Sequence, residues 1–292
     1  MTTFVDAEIA SQPEVWKLAG ELVHTVSNDL PRRGERVAVV GCGTSWFIAA
    51  SYAVLREAAG DGVTDAFAGS EYPAGREYDR VVAISRSGTT TEIIELLREL
   101  ATPSTLITAV PDAPAARHAD ATVGMPFADE QSVVQTRFAT SALTLLRCSL
   151  GNAPVLDDLV RDGRVALEIP VDDLLGADQV TFLGRGWTIG LASEAGLKTR
   201  EAAQFWAESY PAMDYRHGPI AIAQPGRLVW SFGPVPEGLT DDVAATGATF
   251  VHHDLDPQAA LVVAQRFAIG LAQARGLDPD NPRSLTRSVI LS

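Results

Sequence analysis

Short runs of consecutive apolar residues, closed by glycine and hydroxyl-bearing residues, alternate along this chain with longer stretches whose apolar positions recur at helical spacing. Arg36-Val-Ala-Val-Val40 ends in Gly41-Cys-Gly-Thr-Ser45 and gives way to a small-residue helical stretch, Trp46 to Ala59. Arg80-Val-Val-Ala-Ile-Ser85 repeats the plan. It runs into Arg86-Ser-Gly-Thr-Thr90 and a helix over Glu92 to Leu100, with Thr89 and Glu92 at capping-box spacing. Thr105 to Val110 reads as a third strand and Val133 to Leu150 as a long helix. The pattern restarts at Gln179-Val-Thr-Phe-Leu183, followed by a Gly184-Arg-Gly186 turn and a helix over 187–207. Strands at Arg227 to Phe232 and Ala248 to His252 and a helix from Pro257 to Arg275 complete it. Strands alternating with helices at these lengths predict an α/β protein, two parallel sheets each covered by helices on both faces. The expected organisation is a helical lead-in at 1–29, domains at 30–155 and 156–277, and a tail at 278–292. The boundary falls in the acidic, aromatic-poor stretch Gly151 to Asp173.

At 292 residues, 46% of them hydrophobic, the chain can bury a core in each of two domains. No apolar run reaches the length of a membrane span, and Met1-Thr-Thr-Phe-Val-Asp6 lacks the basic and apolar regions of a signal peptide, so a cytoplasmic location is expected. A net charge of -14 with no segregated basic patch argues against nucleic acid. An anion would have to be held by backbone N–H groups, hydroxyls and helix dipoles. The two cysteines, Cys42 and Cys148, form neither a disulfide framework nor a zinc motif and read as reduced thiols. His24, His118, His252 and His253 stand in no motif and read as structural.

In an open parallel sheet, ligands bind beyond the carboxyl ends of the strands. Two loops in that position are rich in hydroxyls: Gly41-Cys-Gly-Thr-Ser45 and Ser85-Arg-Ser-Gly-Thr-Thr90. A phosphate monoester there would accept hydrogen bonds from Ser45, Ser85, Ser87 and Thr90 in the positive field of a helix start. Taken singly, such residues are also simply good N-caps. Neither loop is a nucleotide fingerprint: position 46 is Trp rather than Gly, and no GK[ST] ending follows. On the helix over 187–207, Glu194, Lys198 and Glu201 share one strip. Lys198 lies between Leu191 and Phe205 on the wheel, where an unpaired ammonium is costly. Two readings stay open, an i,i+4 pair on a solvated face and the wall of a site carrying an acid/base pair.

These segments together resemble the sugar isomerase (SIS) domain family, in particular the isomerase half of glucosamine-6-phosphate synthase. The resemblance runs over about 250 residues, from Arg36 onward. It rests on Cys42-Gly-Thr-Ser45, Ser70-Glu71-Tyr72, Ser85 to Thr90, Glu130-Gln-Ser-Val133, Leu183-Gly-Arg-Gly186 with Glu194 to Glu201, and His217-Gly-Pro219. It implies two SIS domains of flavodoxin-like three-layer α/β/α form and a phosphosugar isomerase or deaminase working without metal or organic cofactor. Phosphate binding falls to Thr44, Ser45, Ser85, Arg86, Ser87 and Thr90. Cys42, Gly43, Val133 and Gln135 line the sugar. Glu201 matches the carboxylate that moves a proton between C1 and C2, with Glu194 and Lys198 as its supporting pair. His217 matches a ring-opening histidine supplied by the neighbouring subunit, which implies a homodimer.

The chain departs from that relative in three ways. It has no residues for the relative's N-terminal glutaminase domain. Arg287, in Asn281-Pro-Arg-Ser-Leu-Thr-Arg287-Ser-Val289, stands where the relative has an imine-forming lysine; a guanidinium does not form a Schiff base, but as a sugar-site residue it can still stabilise an oxyanion or a carboxylate. Arg86 brings a permanent charge to the phosphate loop, either as a phosphate contact or facing solvent, and Trp46 follows the GTS turn, as core or as a sugar-stacking wall. The expectation is an isomerase, deaminase or deglycase acting on a hexose or amino-hexose 6-phosphate. The alternative is a non-catalytic sensor with the same double fold.

Overall fold

The computed structural model describes residues 3–291, so the ends of the lead-in (1–2) and of the tail (292) lie outside the described residues. The first half opens with helices α1 (Phe4–Ala10) and α2 (Gln12–Val26). Strand β1 (Val37–Gly41) follows, then α3 (Thr44–Ala58), β2 (Thr64–Ala68), β3 (Arg80–Ile84), α4 (Thr91–Glu99), β4 (Ser104–Thr108), β5 (Ala121–Gly124) and α5 (Arg137–Cys148). The second half holds α6 (Leu156–Glu168), β6 (Gln179–Gly184), α7 (Thr188–Ala203), β7 (Ala207–Pro211), β8 (Arg227–Phe232), α8 (Leu239–Thr246), β9 (Thr249–His252) and α9 (Pro257–Ala274).

The strands form two all-parallel sheets, β2-β1-β3-β4-β5 and β7-β6-β8-β9. Both share one plan: the chain moves outward from the first strand to one edge, then crosses back and fills the other side. The switch points lie between β1 and β3 and between β6 and β8. The strands legible in sequence are the central ones, buried and therefore continuously apolar, and one edge strand, β9, expected at Ala248 to His252. β2, β5 and β7 are half-buried edges without such a run, which is why the pattern did not show them.

Alternation along the strands separates two faces. Val37, Val39, Val82 and Ile84 face inward to a core shared with α2, α3, α5, α7 and α9, which the second sheet enters through Val180, Phe182, Trp230 and Phe232. Ala38, Val40, Val81 and Ala83 pack against α4 on the outer face, and Leu183 and Val229 pack against α8. The halves therefore do not have wholly separate cores. The expected boundary, Gly151 to Asp173, is not a bare linker: α6 occupies most of it and packs on α2 and α9. Among the described residues no helix is long and apolar enough to cross a membrane.

Candidate active site

The functional geometry begins where β1 hands over to α3. A Cβ on Gly41 would come within 2.5 Å of the Ser45 backbone, so only glycine lets the strand end lie this close to the helix start. Thr44 and Ser45 then open α3, and both are buried. The parallel handover from β3 carries Ser85, Arg86 and Ser87, also buried, and ends at Thr90, the N-cap of α4. The two loops flank the β1/β3 switch point, and the starts of α3 and α4 converge on it. The expected Thr89/Glu92 capping box is not formed. Thr90 is the cap residue and uses no side-chain bond, while the Thr89 hydroxyl donates to Ser87 Oγ at 2.9 Å. Ser85 Oγ is buried without a hydrogen-bond partner among the described residues.

Across from these loops lies the middle of α7. A cleft of about 190 Å³ is lined on one side by Cys42, Gly43, Thr44 and Ser45, and by Ser85, Arg86, Ser87 and Thr90. Val133, Gln135, Lys198, Glu201 and the tail around Arg287 complete it. The second half thus places its helix against the first half's switch point. Its own switch point is packed shut: the Thr188 hydroxyl accepts from the Arg185 N–H at 2.8 Å and donates to the Phe232 carbonyl at 2.9 Å. Gly190 sets the crossing, since a Cβ there would meet Ser51 Oγ at 2.2 Å and the Phe47 carbonyl at 2.4 Å on α3.

Glu194, Lys198 and Glu201 form a buried charge set, which excludes the solvated-face reading. Lys198 is 1% exposed and Glu194 fully buried. The Lys198 ammonium hydrogen-bonds Glu201 and lies 3.7 Å from Glu194. Burial pushes the Glu194 carboxyl up to about 8; Lys198 opposes the rise, Glu201 adds to it, and the nearby Thr44 hydroxyl pulls against it. Neither Glu194 oxygen accepts a well-formed hydrogen bond among the described residues. Burial disfavours the Lys198 charge, but Glu194 and Glu201 outweigh it and hold the ammonium above the ordinary lysine value. Burial thus favours the neutral form of Glu194, and Lys198 makes its short contact with Glu201 instead. Of these, Lys198 and Glu201 reach the cleft, while Glu194 stands behind them.

Arg86 is buried rather than facing solvent, and its Nη atoms donate to Glu130 at 3.4 Å and to the carbonyls of Ser132 at 3.1 Å, Val133 at 3.2 Å and Arg287 at 3.1 Å. It lines the cleft but acts as a clamp between the 130–133 loop and the tail, with Nε unpaired among the described residues. The Arg287 guanidinium is held by Asp129 and the Glu130 carbonyl. Trp46 is neither core nor cleft wall; it is 39% exposed and stacks on Phe47. His217, in the turn after β7, is exposed and does not line the cleft of its own chain. His252 and His253 are structural, bonding the Ser231 carbonyl and packing on Trp230.

The residues that shape the site unannounced are acidic. Glu130 is buried and accepts from the Thr136 N–H and hydroxyl and from the Arg137 N–H, starting α5 at Arg137 rather than at the expected Val133. Glu8 on α1 binds the Gln131 and Ser132 N–H groups and the Ser132 hydroxyl, which fixes the same loop from the other side. Asp280 accepts from the Phe4 and Val5 N–H groups, and the tail then reaches α4 through the Thr91 N–H and the Val289 carbonyl. The Glu130-Gln-Ser-Val133 motif was the only local signal. Glu8 and Asp280 act over long sequence separations that no local pattern reports.

Residues 32–149 match the family model described as SIS domain. That stretch of the first half is similar to a SIS domain. Outside it, the likeness extends through the second half. The chain is 27% identical to a glutamine–fructose-6-phosphate aminotransferase of Sulfurisphaera tokodaii, over 92% of this chain and 52% of that protein. It spans about half the length of the curated relatives it matches. Among solved structures, a glucosamine-6-phosphate deaminase from Thermotoga maritima is 25% identical with a TM-score of 0.82, over 99% of this chain and 100% of that one. A tagatose-6-phosphate ketose/aldose isomerase from Escherichia coli, 18% identical over 97% of both chains with a TM-score of 0.79, shares the fold. The hydroxyl loops described above lie inside the matched SIS domain, and Lys198 and Glu201 lie beyond it.

Proposed function

We propose that the protein is a phosphosugar isomerase or deaminase that moves a proton between C1 and C2 of a hexose or amino-hexose 6-phosphate. The observation that carries this reading is the single cleft in which hydroxyl-rich loops at a sheet switch point face a lysine–carboxylate pair. In this reading Ser45, Ser85, Ser87 and Thr90 bind the phosphate, with Thr44 beside them and the unpaired Ser85 hydroxyl ready to donate. Cys42, Gly43, Val133 and Gln135 line the sugar. Glu201 is the base and then the acid, taking a proton from one carbon and returning it to the next. Lys198 orients Glu201 and stabilises charge developing on the substrate oxygen or nitrogen. With open-chain glucosamine 6-phosphate, proton transfer from C2 to C1, with an N–H proton passing to the C1 oxygen, gives a C2 imine; water adds there and ammonia leaves, yielding fructose 6-phosphate.

The similarity to a glucosamine-6-phosphate deaminase favours an amino-sugar substrate, and such chemistry suits the cytoplasmic location expected from the sequence. The exposed position of His217 fits a homodimer in which it opens the sugar ring in the partner's cleft. The test is release of ammonia and fructose 6-phosphate from glucosamine 6-phosphate, with Glu201→Gln beside the parent. Release that vanishes in the variant supports the assignment. Binding of the sugar phosphate without release in either protein would instead indicate a sensor or another substrate.

A further inference from the structure

The loop after β3 carries a buried charge that its neighbours compensate incompletely. The Arg86 side chain is 4% exposed, and the Glu130 carboxylate meets it only at 3.4 Å, with its other oxygen taken by Thr136 and Arg137. Its Nε has no partner among the described residues, and neither has the Oγ of Ser85 beside it. Both residues line the cleft. Unfilled donors on two adjacent buried residues call for an anionic acceptor. The Nη atoms serve a different set of groups. They donate to the carbonyls of Ser132 and Val133 and, at 3.1 Å, to that of Arg287 in the tail. The tail is anchored on either side of this point: the Asp280 carbonyl accepts from the Val133 N–H at 3.3 Å, and the Val289 carbonyl from the Thr91 N–H at 3.2 Å. Between the anchors, residues 281–288 form no helix or strand, and Leu285, Thr286, Arg287 and Ser288 line the cleft. The loop itself is fixed, since the Arg86 carbonyl accepts from the Thr108 hydroxyl and the Ala109 N–H at the end of β4, both at 3.1 Å.

We infer that Arg86 is a positioning residue that couples the phosphate site to the sugar-facing segments, with Nε turned to the bound anion and the Nη pair holding Val133 and Arg287. The inference rests on the proposed function for the identity of that anion, the 6-phosphate of the sugar. A dianion on Ser85 and Ser87 supplies the acceptor that Nε lacks and fixes the guanidinium plane. A planar fork transmits this, because its N–H groups turn together. The carbonyls of Ser132, Val133 and Arg287 are then held in the arrangement in which Val133, Gln135 and Arg287 line the cleft. Phosphate binding thereby acts at the reacting carbons as well as on affinity, since part of the free energy of a remote, unreactive group goes into ordering the site. A lysine in the same place would keep the charge. As a point donor it could not span the phosphate and the carbonyls on two other segments.

Inorganic phosphate is the probe, because it fills the hydroxyl loops without a sugar to touch the other segments. Amide hydrogen exchange, read by mass spectrometry, is compared with and without saturating phosphate in the parent and in Arg86→Lys, with binding followed by calorimetry. In the parent, phosphate should slow exchange in peptides covering 130–136 and 285–291 by at least about threefold. Arg86→Lys should still bind phosphate but show no such slowing at saturation. Where glucosamine 6-phosphate is turned over, kcat of that variant should fall at least about tenfold, with KM moving less. If the lysine variant does not fold, Arg86→Gln takes its place in the same comparison. Phosphate that binds the parent and leaves both segments unchanged overturns the coupling and leaves the proposed function standing. Full slowing in Arg86→Lys overturns it too. A parent that binds neither phosphate nor fructose 6-phosphate would sink both readings.

Discussion

Lys198 shows how much one buried charge can demand of its neighbours. An ammonium at 1% exposure needs compensation, and its helix supplies a carboxylate one turn before it and another one turn after it. The two carboxylates are not equivalent, because Glu194 is fully enclosed and Glu201 opens to the cleft. The raised Glu194 pKa has a consequence for stability. The folded state keeps a proton there that the unfolded chain gives up above about pH 4.5, so this contribution is full below that value and lost as pH rises towards about 8. Urea unfolding of Glu194→Gln at pH 5, 6.5 and 8 should show a shallower fall in stability with pH than the parent; parallel curves would contradict the shift. Glu130 is the second demanding carboxylate. Glu130→Ala strands the buried Arg86 and the start of α5 at once and should cost about 3–5 kcal/mol in urea unfolding.

At the scale of elements, the site depends on how closely α7 crosses α3. Gly190 permits that approach, and a methyl group there must displace α3 backbone rather than a flexible side-chain tip. Gly190→Ala should lose about 1–3 kcal/mol by denaturant unfolding. It should also lower turnover of any active substrate, because Lys198 and Glu201 sit two to three turns along the shifted helix. Intact stability and intact turnover together would show that the crossing relaxes without consequence. The central strands and the hydroxyl loops after them were legible because double-sided burial writes an unbroken apolar run that ends in glycine. The true start of α5, the failed Thr89/Glu92 box and the edge strands β2, β5 and β7 were not: Glu130 and the distant Glu8 decide the first, Ser87 takes the Thr89 hydroxyl in the second, and the half-buried edges carry no apolar run. Glu8 and Glu130 claim the backbone donors of the 130–136 segment, so the helix cannot begin where its apolar pattern does.

For the whole molecule, no histidine among the described residues lines the cleft of one chain, and His217 is exposed elsewhere. If His217 acts across a two-fold interface, inactive Glu201→Gln and His217→Ala proteins should complement one another. In a mixed dimer one cleft carries both defects and the other neither, so equimolar mixing with subunit exchange should restore about a quarter of the parent activity. No recovery, with exchange confirmed by mass spectrometry, would place the histidine's role within its own chain or remove it.

The sequence alone determined the α/β class, the two hydroxyl loops and the strip that carries Glu194, Lys198 and Glu201, because each is written in local periodicity and residue type. Tertiary structure decided which of these meet. Both sheets have a switch point of the same form, but Thr188 closes the second, so α7 serves the first. It also gave the Arg86 and Arg287 guanidinium groups their partners, Glu130, Asp129 and loop carbonyls, which no local pattern reports. Local patterns record what a segment prefers to bury. Only the packed chain settles which partner reaches each buried charge first.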